Sequence, residues 1–189
     1  MIIGIDFDNV LFPTTEMAIN FYNMTFHTNL SMSNIKTYSF HECLDNNIAD
    51  KIISFFNEKV LYDHLKPIDK SIQVVKTLVD MGHRVVIATA TDSKNLCWKE
   101  ELIEKFFPFI PKNNVIKIHQ KELLKLDVLI DDCLDHLTSN ITERICFDYP
   151  WNQNKNKDFV YDIYRIHSWD EVLNIIHDIE RKNKEWETK

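Results

Sequence analysis

Short apolar segments that alternate with polar ones predict a series of buried strands. Each predicted strand is rich in Val, Ile or Leu, as in strands that are covered on both faces. The first of them ends in Asp6 and Asp8, and polar residues follow later strands in the same way. The predicted strands span residues 2–7, 84–90, 115–118, 127–130, 144–147 and 163–166.

Helical patterns separate several of these strands. Apolar residues recur at helical spacing within residues 68–81, 94–107 and 169–181, so each of these stretches predicts a helix. Strands that alternate with helices favour an α/β fold. We expect a doubly wound parallel sheet of the Rossmann-like type, whose ligands bind outside the carboxyl ends of its strands.

One connection is much longer than a strand-to-helix loop requires. Roughly sixty residues lie between Val10 and Ile68, where a few normally suffice. This segment contains two helical patterns, at residues 15–26 and 48–61, around an irregular middle rich in Ser, Asn and Thr. The excess length predicts an insertion.

The chain therefore divides into two predicted units. Residues 14–67 are predicted to form a small helical cap, which is inserted after the first strand and covers the ligand-binding end of the sheet. Residues 1–13 and 68–189 are predicted to form the core that contains the sheet. Within the core, the Asn- and Lys-rich stretch 152–157 predicts a mobile surface loop.

The composition is that of a single globular unit. Of the 189 residues, 44% are hydrophobic and 27% are charged, which is ordinary for a chain that buries a core. No apolar run reaches the ~18 residues of a membrane-spanning helix. The first segment also lacks the charged start and cleavage site of a signal peptide. We expect a cytoplasmic protein without a membrane partner, either a monomer or a homodimer.

The net charge and the numbers of glycine and cysteine residues argue against several kinds of partner and binding site. With 29 acidic and 22 basic side chains, the net charge is -7, which argues against a nucleic-acid polymer as partner. The two glycines, Gly4 and Gly82, are too few for any glycine-rich phosphate loop. The four cysteines form no CxxC pair, so neither a zinc site nor a disulfide framework is predicted.

Polar residues at the strand ends form a candidate site for phosphoryl transfer. In chain order they are Asp6, Asp8, Thr89, Lys121, Asp131 and Asp132. Converging carboxylates repel one another, and a divalent cation with oxygen ligands, Mg²⁺, is the simplest means of keeping them ionised. Asp6 would then be a nucleophile, with Thr89 as a donor and Lys121 as a positive charge.

Each of these residues also has an ordinary structural interpretation. An Asp-x-Asp at a strand end is often a turn, and Thr89 alone is a β-branched strand residue. A single lysine is usually solvated, and the pair Asp131-Asp132 could cap a helix. Their joint occurrence at successive strand ends favours the chemical interpretation.

The motifs in this order resemble those of the haloacid dehalogenase superfamily. The matching segments are DFDNV, VVIAT with its final Thr89, Lys121, and LIDD with its two aspartates. Within the superfamily the chain resembles the 5′(3′)-deoxyribonucleotidases of the cytosolic type C nucleotidase family. That likeness rests on the inserted cap and on the segments LKPIDKSIQVVKTL, FDYPWN and IHSWDEVL.

The resemblance implies a role for each motif residue. Asp6 would attack phosphorus to form an aspartyl-phosphate, and Asp8 would protonate the leaving oxygen and then activate water. Asp6, Asp132 and the backbone carbonyl of Asp8 would hold Mg²⁺, with Asp131 directly behind them. The phosphate oxygens would be held by Thr89, the N–H of Ala90, and Lys121.

The cap would supply contacts to the rest of the substrate. Tyr38, Phe40 and Phe56 align approximately with aromatic residues that contact the base in the family, although packing within a small cap is the alternative. Two departures stand out. Asn9 replaces a glycine in a turn that often requires positive φ, and a threonine, Thr14 or Thr15, replaces an aromatic residue near the base.

We therefore expect a Mg²⁺-dependent phosphatase that hydrolyses (deoxy)ribonucleoside monophosphates to nucleoside and phosphate. One alternative is the same mechanism on another small phosphomonoester, such as a sugar phosphate. Another is a phosphoacceptor or binding module without enzymatic activity. Signalling receiver domains use similar residues, but their acidic pair comes first and their lysine last, and they lack a long cap.

Overall fold

A six-stranded parallel sheet forms the centre of the protein. Its strands are β1 (Ile2–Ile5), β2 (Arg84–Thr89), β3 (Val115–Lys117), β4 (Val128–Asp131), β5 (Glu143–Phe147) and β6 (Tyr164–Ile166). A computed structural model describes residues 1–138, 140–153 and 162–187, and in it the strand order is β3-β2-β1-β4-β5-β6 with every neighbouring pair parallel. The predicted fold class is confirmed.

Strand β1 lies where the chain changes direction across the sheet. The order runs outward from β1 through β2 to β3, whereas β4 returns to the other side of β1 and continues to β5 and β6. Gly4 accordingly aligns with Val86 of β2 on one side and with Leu129 of β4 on the other. Open α/β sheets bind ligands at such a switch point. The residues that follow β1 and β4 therefore face one crevice.

Six α-helices surround the sheet in the described part of the chain. They are α1 (Thr14–Phe26), α2 (Asn46–Phe55), α3 (Lys59–His64), α4 (Ser71–Asp80), α5 (Ser93–Phe106) and α6 (Val172–Glu187). Helix α1 packs against α2 and α3, α3 packs against α5, and α4 packs against α6. Among the described residues, none of the helices is long and apolar enough to cross a bilayer.

The prediction of one helix over residues 48–61 is wrong, because α2 and α3 are separate. Glu58, between them, has the extended conformation (φ −110°, ψ 128°). The carbonyl of Phe56 accepts hydrogen bonds at 3.0 Å from the Tyr62 hydroxyl and from Nδ2 of Asn95 on α5. Tertiary contacts thus satisfy a carbonyl at this break in the helix.

Other predicted boundaries shift for local reasons. Helix α4 begins at Ser71 rather than at residue 68, because Lys70 adopts a left-handed conformation with φ 64°. The last helical stretch starts as a 3-10 turn at Trp169–Glu171 and continues as α6 beyond residue 181, the predicted end. The predicted mobile loop at 152–157 falls mostly outside the described residues.

The turn after β1 is fixed from several directions. Phe7 stacks on Phe12 with ring centroids 4.5 Å apart, and both side chains are fully buried. Nε1 of the buried Trp169 donates to the carbonyl of Val10 at 2.9 Å. Asn9 adopts φ 58°, in the left-handed region, so the expected positive φ of this turn is present with asparagine in place of glycine. The turn holds the polar residues after β1 in place.

Candidate active site

Asp6 and Lys121 lie at the centre of the site. The backbone N–H of Asp6 donates to the carbonyl of Ile130 at 2.9 Å, which continues the pairing of β1 with β4. Nζ of Lys121 lies 2.5 Å from Oδ1 of Asp6 and 2.6 Å from Oδ2 of Asp131. Lys121 and Asp131 are fully buried, and Asp6 is 5% exposed. Three residues predicted from separate strand ends are in direct contact.

Electrostatic attraction keeps Lys121 and Asp131 charged. Burial alone would lower the pKa of Lys121, but Asp131 and Asp6 raise it. Burial would likewise raise the pKa of Asp131, but Lys121 and His136 hold it below its usual value. Nδ1 of His136 lies 3.1 Å from Oδ2 of Asp131. For Asp6 the balance differs, because burial raises its pKa to about 6 despite the attraction of Lys121.

Lys99 is a site residue that the sequence interpretation missed. It lies on α5 and is 2% exposed. Its Nζ donates to Oδ2 of Asp8 and, at 2.9 Å, to the hydroxyl of Thr89. A signal was present in the sequence, because Lys99 precedes Leu102 and Ile103 by three and four residues and so shares the buried face of the predicted helix.

Asp132 completes a group of three carboxylates. One oxygen from each of Asp6, Asp131 and Asp132 lies within 4.8 Å of the others. Burial raises the pKa of Asp132 well above its usual value, and the negative charges of Asp131 and Asp6 raise it further. A bound cation would relieve this repulsion.

The charges and donor atoms of the site fit a divalent metal. Lys121 contacts Asp6 and Asp131, and Lys99 contacts Asp8. With Asp132 the site contains four carboxylates and two ammonium groups. One divalent cation would balance the remaining two negative charges. Because these donors are carboxylate oxygens, the set suits Mg²⁺ better than a metal that prefers nitrogen or sulfur ligands.

A cavity of about 240 Å³ adjoins these groups. Tyr38, Phe40 and Phe56, the three predicted substrate contacts, all line it, together with Asp8, Asn9, Thr15, Ile35, Ala90, Asp132 and Trp151. The sequence interpretation did not single out Trp151. The charged residues in this lining, Asp8 and Asp132, are both acidic, so an anionic ligand would fit here together with a bound cation. The aromatic rings suit a ligand with a flat body.

The aromatic residues of this cavity differ in burial, and Tyr38 is the most exposed of them. The rings of Phe40 and Phe56 pack with centroids 6.0 Å apart. Tyr38 is 58% exposed, although its hydroxyl faces the acidic group. Desolvation of that hydroxyl, followed by the charge of Asp132, raises the pKa of Tyr38, so it remains protonated and able to donate a hydrogen bond.

The two departures from the family pattern lie beside the acidic group. Asn9 uses its side chain as well as its φ angle, because Oδ1 accepts the backbone N–H of Thr15 at 3.0 Å and Nδ2 donates to Asp132 at 3.1 Å. Thr15 lines the cavity, whereas Thr14 is fully buried. Thr15 is therefore the threonine that borders the cavity.

A family model matches nearly the whole chain. Residues 1–183 match the model described as 5′ nucleotidase, deoxy (pyrimidine), cytosolic type C protein. The chain belongs to this family. Membership in the cytosolic type C nucleotidase family agrees with the resemblance of the motifs and with the arrangement of the strand ends.

Individual relatives agree with this family assignment. A 5′(3′)-deoxyribonucleotidase from Bacillus subtilis is 34% identical over 113 residues, which are 59% of this chain and 63% of that protein. The chain thus matches less than two thirds of that relative. A 5′(3′)-deoxyribonucleotidase from Clostridium acetobutylicum is 28% identical over 155 residues, which are 82% of this chain and 86% of the relative.

The fold is that of haloacid dehalogenase-like proteins. A haloacid dehalogenase-like protein of unknown function from Agrobacterium tumefaciens superposes with a TM-score of 0.66 at 14% identity, covering 95% of this chain and 98% of that one. At this level of identity the likeness concerns the fold alone.

Proposed function

We propose that the protein is a cytoplasmic, Mg²⁺-dependent phosphatase that hydrolyses (deoxy)ribonucleoside monophosphates to nucleoside and phosphate. The observation that carries the proposal is the contact of Asp6 with Lys121 beside Asp131 and Asp132, at the switch point of the sheet. The family and the relatives named above supply the substrate class. The roles predicted for the site residues remain proposals.

Asp6 is the proposed nucleophile. A carboxylate oxygen of Asp6 bonds to phosphorus while the bond to the ester oxygen breaks, and the result is an aspartyl-phosphate. Lys121, already beside Asp6, balances charge on the transferred group. The N–H of Ala90 and the hydroxyl of Thr89 would hold other phosphate oxygens. Bound Mg²⁺, held by Asp6, Asp132 and the backbone carbonyl of Asp8, would offset negative charge on the phosphate.

Asp8 is the proposed acid and then the base. Lys99 holds Oδ2 of Asp8, while Oδ1 has no hydrogen-bond partner among the described residues. Oδ1 is therefore the oxygen available to carry a proton to the leaving nucleoside. In the second step Asp8 takes a proton from water, the water oxygen bonds to phosphorus, and the carboxylate of Asp6 is regenerated as phosphate leaves.

The cavity supports a mononucleotide as the substrate. With Mg²⁺ bound beside Asp8 and Asp132 the cavity would accept a phosphate, and the rings of Tyr38, Phe40 and Phe56 are able to stack against a base. A volume of about 240 Å³ suits one small molecule rather than a nucleic-acid strand.

A phosphate-release panel tests the proposal. The substrates are deoxyribonucleoside and ribonucleoside monophosphates, sugar phosphates and p-nitrophenyl phosphate, each assayed with Mg²⁺ and with excess EDTA. Asp6→Asn is the matched control for contaminating phosphatases. We expect the highest kcat/KM for nucleoside monophosphates, loss of activity in EDTA, and recovery when Mg²⁺ is added.

Two results would overturn the proposed function. A higher kcat/KM for a sugar phosphate than for any nucleotide would assign the other small-substrate phosphatase activity. Full turnover in excess chelator would remove the metal from the mechanism.

A further inference from the structure

We propose that Asn9 and Trp151 are positioning residues that fix one oxygen of Asp132 and leave its other oxygen for the metal. This inference rests on the proposed function, in which Asp132 is a metal ligand. Nδ2 of Asn9 and Nε1 of Trp151 both lie 3.1 Å from the same atom, Oδ2 of Asp132. All three side chains are at least nine-tenths buried.

The two donors determine how the carboxylate is presented. Both hydrogen bonds that the described residues make to the Asp132 carboxylate go to Oδ2. Two donors use the two lone-pair directions of that oxygen. Oδ1 is then the free oxygen of a carboxylate that cannot rotate without breaking two buried hydrogen bonds. Asp132 is thereby positioned to bind a metal through Oδ1 alone.

The orientation of Asn9 is itself determined by the turn. Its Oδ1 accepts the N–H of Thr15, so its Nδ2 must be the group that faces Asp132. Positive φ at Asn9 brings the side chain to this position. A glycine would allow the same backbone but would offer no donor, so asparagine adds a contact that glycine lacks.

Trp151 is held by a second set of contacts after β5. Its ring stacks on Tyr149 with centroids 4.4 Å apart and an angle of 4° between the planes. The Tyr149 hydroxyl donates to the backbone carbonyl of Asn9 at 2.8 Å. Nδ2 of Asn152 donates to the backbone carbonyl of Asp132 at 2.9 Å. The segment after β5 therefore holds both Asn9 and Asp132.

Such support matters because Asp132 lies among other carboxylates. Repulsion from Asp6 and Asp131 favours rotation of the Asp132 side chain away from them, and the two donors oppose that rotation. Hydrogen-bond partners of metal ligands typically change metal affinity by about 10- to 100-fold when removed. A purely structural role for the Trp151 ring would not affect the metal in this way.

The test measures metal binding without turnover. Trp151→Phe keeps a ring that stacks on Tyr149 but removes the N–H donor, and Asn9→Gly keeps the backbone freedom but removes the amide. The Kd for Mg²⁺ alone is measured by isothermal titration calorimetry, and the Tm is measured without Mg²⁺. We expect each variant to weaken Mg²⁺ binding by about 10-fold.

Asn114→Gly is the matched control. It removes a side-chain amide, as Asn9→Gly does, but the acceptor of that amide is the backbone carbonyl of Val85 at 2.8 Å, near the start of β2. We expect this variant to lower the Tm while the Kd for Mg²⁺ stays within twofold of wild type.

The outcomes separate the inference from the proposed function. If wild type binds Mg²⁺ and hydrolyses nucleotides, but Trp151→Phe and Asn9→Gly both keep the wild-type Kd, this inference alone is overturned. An equal weakening in Asn114→Gly would overturn it as well, because the effect would then follow stability. Absence of Mg²⁺ binding by wild type would overturn the proposed metal and this inference together.

Discussion

Two regions meet at the cavity and are held in different ways. One is the group of charged residues at the strand ends, of which Asp8 and Asp132 line the cavity, and the other is the set of aromatic residues within 14–67. Lys121 and Asp131 are fully buried and contact each other at 2.6 Å. Tyr38 is 58% exposed and lies outside the helices and strands. A site that is fixed before substrate arrives favours one chemical step, whereas loosely held rings adapt to the part of the substrate that varies. We expect the strand ends to govern kcat and the aromatic residues to govern KM.

The largest effect is expected for the nucleophile. Asp6→Asn should stay folded but lose more than ~10⁴-fold in kcat, because an amide neither attacks phosphorus nor carries charge for the metal. Phosphate release at high enzyme concentration measures the loss, and circular dichroism checks the fold. Retention of more than a few per cent of the wild-type rate would remove Asp6 from this role.

The next largest effect concerns Asp8 and depends on the leaving group. A nucleoside oxygen needs a proton as it leaves, whereas p-nitrophenolate scarcely does, and acid catalysis is typically worth about 10²- to 10⁴-fold. Asp8→Asn should therefore slow aspartyl-phosphate formation from a nucleotide far more than from p-nitrophenyl phosphate. Because Asp8 also acts in hydrolysis of the aspartyl-phosphate, the formation step must be measured separately, by rapid quench. Equal losses would place the acid elsewhere.

A smaller loss of kcat is expected for Lys99→Met. The variant keeps the apolar stem but removes the ammonium that contacts Asp8 and Thr89, and a hydrogen bond between charged groups is worth roughly 10- to 100-fold. The matched control is Lys117→Met, because Lys117 is exposed and bonds Ser93 at 2.8 Å. If both variants keep wild-type kcat, Lys99 is only a structural lysine.

The smallest effect is expected at the aromatic side of the cavity. Tyr38→Ala should raise KM for a nucleotide by roughly 2- to 10-fold, the range of one aromatic contact, and leave kcat for p-nitrophenyl phosphate within twofold. Because Tyr38 is largely exposed, its truncation should cost little stability. Phe26→Ala is a suitable comparison, since Phe26 is also an exposed aromatic residue but does not line the cavity. A loss of kcat in Tyr38→Ala on both substrates would contradict the division between the two regions.

The sequence predicted the strand ends well, for a physical reason. Parallel strands place their carboxyl ends at one edge, so the order of Asp6, Lys121 and Asp131 along the chain already indicates that they meet. Nothing comparable indicates where α2 ends. Its break depends on bonds from Tyr62 and Asn95 to the Phe56 carbonyl, and Asn95 lies far along the chain.

Lys99 and Trp151 are the site residues that sequence reasoning missed. Lys121 was found because it follows a strand, but Lys99 lies on a helix, where a lysine is normally solvated. Its contact with Asp8 depends on the packing of α5 against the rest of the fold. The bond from Trp151 to Asp132 depends on the direction of an indole N–H, which no sequence pattern specifies.

The central claim, that Asp6 accepts the phosphoryl group of a nucleotide, is tested most directly by trapping the intermediate. Wild-type protein is mixed with a deoxyribonucleoside monophosphate and Mg²⁺, quenched in acid within milliseconds, and analysed by intact mass and peptide mapping. We predict one added phosphoryl group on the peptide that contains Asp6, absent from Asp6→Asn and from samples with EDTA. Rapid turnover with no phosphorylated protein at any quench time, or a phosphoryl group on another residue, would contradict the account.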